Sequence, residues 1–225
     1  MTDITNLHSL LDWKLLRGSH DWPGSDGGTC INEAAIVAAG LPYRSVSDAA
    51  DCPDCFSPVL SAYLIGINDM MPDDERQKLI RFVLRLPGSA DTKLIERMRI
   101  EFILTETVKR IVAAAMCAVG RHHEANDCAS VKSFDEAKRA AARAARAADA
   151  AMDAWAASAA WAASDASAAW APRWAARAAS DARAAIYNDC IAIAECAFDI
   201  GNQAAQIDVN AAQKRMEEIK QTEAA

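Results

Sequence analysis

The stretch Gly18–Cys30, GSHDWPGSDGGTC, gathers an imidazole, two carboxylates and a thiol within thirteen residues. A thiol in the first turn of a helix is a nucleophile geometry, because free backbone amides and the helix dipole stabilise the thiolate. Gly27-Gly28-Thr29-Cys30 offers that geometry, and His20, His122 or His123 could serve as its base. The catalytic set implied is Cys30, His20, Asp21 and Asp26. The competing reading is structural: Trp22 packs down, the glycines supply positive φ, and Asp26 or Thr29 caps the helix. The stretch has neither the spacing of a calcium loop nor that of a glycine-rich phosphate loop.

A second constellation is Cys52-Pro53-Asp54-Cys55, a C-x₂-C knuckle of the kind that forms half of a tetrahedral zinc site. Its other half would have to come from Cys117-x₄-His122-His123-x₄-Cys128, which matches no familiar ligand spacing. The expectation is reduced thiols and no metal or other cofactor, with Cys52 and Cys55 the first ligands to test. Cys190 and Cys196 read as small buried apolar residues of a helix.

These side chains must be positioned by helices. Residues up to about 120 are divided by glycine and proline into short pieces with three- and four-residue apolar spacing. The spacing predicts helices over 31–39, 58–67, 73–86 and 92–119, and a short turn capped by Ser47. Polar residues 121–132 read as a hinge. Ser133-Phe134-Asp135-Glu136 is a capping box, and behind it runs a segment more than half alanine. Pro172 breaks that segment near 167–171. A first helix of about 30 residues would be about 45 Å long. A second from Pro172 to Ile200 would complete an antiparallel hairpin, with a final helix near 203–219.

The fold class expected is all-α, with a mixed-composition helical section (1–120) and an alanine- and tryptophan-rich section (133–225) packed as one continuous unit. Trp155, Trp161, Trp170 and Trp174 supply bulk among the alanines, as packing filler or as a contact surface for a partner protein. Arg139, Arg143 and Arg146 share one helix face and are expected to be salt-bridged to Asp135, Asp149 and Asp153.

Composition narrows the function classes. The 225-residue chain carries 31 acidic against 24 basic residues, a formal charge of −7, which argues against general binding to phosphate backbones. Mean hydropathy is −0.05, and no run approaches the roughly 18 apolar residues of a spanning helix. Seven cysteines without an export signal at the N-terminus lead to an expected cytoplasmic location.

Gly18–Arg44, GSHDWPGSDGGTCINEAAIVAAGLPYR, continuing through CFSPVLSAYLIGINDMMPDDERQKLIRFVLRLPGSADT, resembles a group of uncharacterised proteobacterial proteins with an SHxxPGxDGGxCINEAA-type opening. That resemblance implies no activity. The PDDERQ helix followed by the alanine/tryptophan array is similar to helical immunity proteins of bacterial toxin systems. The leading expectation is a non-enzymatic interaction protein, an immunity, inhibitor or adaptor factor of a bacterial or phage conflict system whose partner is another protein. The alternatives are a cysteine- or metal-dependent hydrolase centred on the Gly18–Cys30 loop and an acidic nucleic-acid mimic.

Overall fold

The computed structural model describes residues 13–21, 28–150, 153–164, 171–179, 182–201 and 214. The fold is all-α, with one two-stranded sheet among the described residues. Trp22, Asp26, Trp170, nearly all of the expected break before Pro172 and nearly all of the expected final helix lie outside them. The chain divides into two compact units, Met1–Thr92 with Gly201–Ala225, and Lys93–Ile200. No helix among the described residues is long and apolar enough to cross a membrane.

In the first unit, β1 (Lys14–Leu15) and β2 (Gly28–Thr29) pair in parallel, with Lys14 opposite Gly28. Two-residue strands have no periodicity to read, so the sequence pattern missed them. Gln77 extends the pairing by accepting from the Leu15 N–H at 3.0 Å and donating to the Leu15 carbonyl at 2.9 Å. A Cβ on Gly28 would stand 2.5 Å from the Lys14 carbonyl oxygen and 2.7 Å from the Leu16 side chain. Gly28→Ala should therefore cost about 1–3 kcal/mol, the usual range for overpacking. Denaturant unfolding checks this, and an unchanged midpoint would contradict the strand pairing.

Helix α1 (Ile31–Ala38) buries all eight of its residues. It ends in a Schellman motif: Gly40 has φ 68° and donates to Val37, while Leu41 donates to Ile36. Helix α2 (Pro58–Met70) starts at Ser57, whose hydroxyl accepts from the Leu60 N–H, and has proline at its first position. The expected helix over 73–86 is α-helical only in α3 (Asp73–Arg76) and continues as a 3₁₀ turn, Gln77–Phe82. Buried Arg76 ties α3 to the end of α2 through the carbonyls of Asn68 and Met71. The turn expected to be capped by Ser47 is capped by Asp48, whose carboxylate accepts from the Ala50 N–H.

The second unit begins with the expected long helix in three parts: α4 (Lys93–Glu106), a π-helical segment (Thr107–Val112) and α5 (Ala113–Ala118). Gly120, φ 74°, closes it with a second Schellman motif. The stretch expected as a hinge is instead α6 (His122–Ala129), which buries Ala125 and Cys128, three residues apart. Its polar composition hid so narrow an apolar stripe.

Helix α7 (Phe134–Ala150) keeps the expected cap, since the Ser133 hydroxyl accepts from the Glu136 N–H. Glu136 reaches one residue further back than expected, to the Lys132 N–H at 2.7 Å. The helix stops well short of 30 residues. Asp153 accepts from the Ala156 N–H at 3.1 Å and so starts α8 (Ala154–Ser164). The single helix expected from Pro172 to Ile200 is likewise two, α9 (Ala171–Ala178) and α10 (Arg183–Phe198). Helices α7 and α8 pack together, and their buried positions are all alanines. The π-helical segment lies at the centre of this unit, against α6 to α10.

Candidate functional site

Ser19, His20 and Cys30 converge on a residue outside the Gly18–Cys30 stretch, Glu33. Glu33 is fully buried at the third position of α1. Its Oε1 accepts from the backbone N–H of His20 (2.9 Å) and of Val46 (3.0 Å), and from the Ser19 hydroxyl (3.3 Å). Its Oε2 accepts from the Cys30 N–H at 2.8 Å. A carboxylate offers about four lone-pair sites, and here three donors crowd Oε1 while one reaches Oε2. The signal was legible as C-x-x-E at a helix start, the spacing of a capping box.

Cys30, not Thr29, is the N-cap. Its Sγ accepts from the Glu33 N–H at 3.5 Å while Glu33 reaches back to the Cys30 N–H. Thr29 is unavailable because it belongs to β2 and its hydroxyl accepts from the Trp13 indole at 2.8 Å. The thiolate that the alternative, nucleophilic reading of this helix start requires is not favoured. Burial, then the charge of Glu33, push the Cys30 thiol well above its usual range, outweighing the backbone N–H groups of Glu33 and Asn32. Cys30 is only 3% exposed.

His20 and Asp21 are drawn into the same network through the chain around them. The His20 carbonyl accepts from the Tyr43 hydroxyl at 2.6 Å and from the Ser45 hydroxyl at 2.7 Å. Ser45 also approaches the Asp21 carboxylate at 3.3 Å. Burial and the Glu33 charge raise the Tyr43 phenol above its usual range, so it remains a donor. His122 and His123 belong to the second unit. A neutral thiol beside a buried carboxylate that gathers four donors is chemically a clamp: the network joins 19–21, 43–46 and the start of α1, and presents no thiolate.

Among the described residues, no group of three or more histidine, cysteine or acidic side chains could hold a metal ion. Cys52 is buried and Cys55 exposed. Cys196, expected to be buried, is exposed, while Cys190 is buried as expected. Burial pushes Cys52 up to about 11, and burial with the Asp127 charge pushes Cys128 up to about 12. An unfolded thiol ionises near pH 8.5, roughly. Between that value and the folded one, the unfolded chain binds fewer protons, so stability falls as pH rises. This contribution is complete below about pH 8 and lost towards pH 12. The urea midpoint should drop more between pH 8 and pH 10.5 in the wild type than in a Cys52→Ala/Cys128→Ala variant. Equal drops would contradict the assignment.

The alanine-rich helices carry a different surface. Trp155 of α8 and Trp174 of α9 stack with ring centroids 5.3 Å apart and planes 17° apart. The Arg177 guanidinium lies over both rings, 4.7 Å from the first centroid and 5.5 Å from the second. Trp155 is nonetheless 43% exposed and Trp161 38% exposed, the latter donating to Asp149 at 2.7 Å. Two of the three acids expected to neutralise the arginine face are used elsewhere: Asp149 holds Trp161, and Asp153 caps α8. Arg143 pairs instead with Asp127 of α6 at 3.3 Å.

No family model matches the chain, and neither a curated protein nor a solved structure matches it at a significant level.

Proposed function

We propose that this protein is a helical protein-interaction module whose working surface is the aromatic face of α8 and α9, built on Trp155, Trp161 and Trp174. The observation that carries the reading is the Trp155–Trp174 stack, held under Arg177 yet left part-exposed. Tryptophan and arginine dominate binding energy at protein interfaces, because each can desolvate a large area while keeping a polar handle. The stack restricts both rings before any partner arrives, so little rotamer freedom is left to lose on binding. Immunity, inhibitor and adaptor roles all need such a preformed patch. The clamp at Glu33 supports the same reading, since the Cys30 thiol that suggested hydrolysis is buried and caps α1.

The test compares a tagged wild type with a Trp155→Ser/Trp174→Ser variant in the native host, using quantitative mass spectrometry of recovered proteins. The expected result is a specific protein depleted at least tenfold by the variant, with helical circular dichroism unchanged. Recovery of the same proteins by both, or depletion by Cys30→Ser instead, would overturn the reading.

A further inference from the structure

Seven free thiols invite the question of which one meets oxidants first. Four of them, Cys30, Cys52, Cys128 and Cys190, are buried, and three, Cys55, Cys117 and Cys196, are exposed. Cys117 stands apart from the other two. Its Sγ lies 3.7 Å from Nδ1 of His122, and both side chains face solvent. No described histidine accompanies Cys55 or Cys196. The pair is a product of the turn: Gly120, in the left-handed region, reverses the chain between α5 and α6 and brings the last turn of one to the first residue of the other.

We infer that Cys117 is the oxidative modification site of this protein, with His122 as its proton acceptor and a hydroperoxide as the oxidant. With the ring proton on Nε2, Nδ1 accepts from the thiol. The proton leaves only as the sulfur attacks. The S–H proton passes to His122, an S–O bond forms, and the peroxide O–O bond breaks. The leaving alkoxide or hydroxide then takes the proton from His122. Sulfur is oxidised by two electrons to a sulfenic acid and the peroxide is reduced to an alcohol or water. A nucleophile with its base in hydrogen-bond reach is the general arrangement for such attack.

The experiment treats the full-length reduced protein with hydrogen peroxide and traps sulfenic acid with dimedone, with site occupancy read by peptide mass spectrometry. Cys117 is expected to be tagged at least fivefold faster than Cys55 and Cys196. His122→Asn keeps an acceptor but cannot take the proton, and His122→Phe keeps a ring without either. Both should lower Cys117 to the rate of the other exposed thiols while leaving theirs unchanged. Equal rates at the three exposed cysteines in the wild type, or a Cys117 rate unaltered by both His122 variants, would overturn the assignment.

Discussion

Glu33→Ala should destabilise the first unit by about 2–6 kcal/mol, because the two buried backbone N–H groups of Cys30 and Val46 lose their acceptor at roughly 1–3 kcal/mol each, with a part-buried third at His20. Those donors are His20, Cys30 and Val46, and the Ser19 hydroxyl is a fourth group on the same carboxylate. Glu33→Gln distinguishes hydrogen bonding from bulk. Its amide oxygen can replace Oε1 and keep His20 and Val46, but its NH₂ must then face the Cys30 N–H, donor against donor. The glutamine variant should therefore fall between the wild type and the alanine variant. Urea unfolding followed by Trp fluorescence checks the order. A glutamine variant as stable as the wild type would show that the Cys30 cap bond carries no weight.

Arg99→Met has the largest expected effect in the second unit. Arg99 is 1% exposed, donates from Nε to the Ile200 carbonyl at 3.1 Å, and pairs with Glu96 at 2.8 Å. The Ile200 carbonyl lies just beyond α10, so the guanidinium anchors that helix end to α4 and meets the negative pole of its dipole. Removing the cation leaves a carboxylate side chain only 14% exposed against an apolar methionine. Breaking a buried pair from one side costs about 3–5 kcal/mol, whereas replacing both partners by apolar groups is often near neutral. Arg99→Met/Glu96→Leu should thus recover most of the loss. Equilibrium unfolding of the four species of the cycle tests this, and a loss below about 1 kcal/mol for Arg99→Met would remove Arg99 from the structural account.

Where the chain speaks through local spacing, the fold was legible. The glycines at 40 and 120 marked helix ends, and Ser133 marked a start, because each acts within one turn of its own position. Some failures arise where a residue's local option is lost to a more distant partner. Thr29 is a good cap by type, yet pairing with residues near position 14 claims its backbone and Trp13 claims its hydroxyl. Asp153 reads as one more surface charge in an alanine run, and only its bond to the Ala156 amide reveals a helix start. The site was half visible. Cys30, His20 and Asp21 were named together from sequence, but the carboxylate that organises them was not, because its donors His20 and Val46 each lie thirteen residues away. The Trp155–Trp174 stack joins two helices and has no signature in either one.

The central claim, that Cys30 belongs to a structural clamp around Glu33 and is not a nucleophile, is tested most directly by its alkylation rate. The native protein is exposed to iodoacetamide at pH 6 and occupancy of Cys30 is followed by peptide mass spectrometry, with the urea-unfolded chain as reference. A thiol 3% exposed and held neutral beside Glu33 should react far more slowly in the native protein than in the unfolded chain. Fast, pH-insensitive alkylation of Cys30 in the native state would mean an accessible thiolate, and would contradict the clamp.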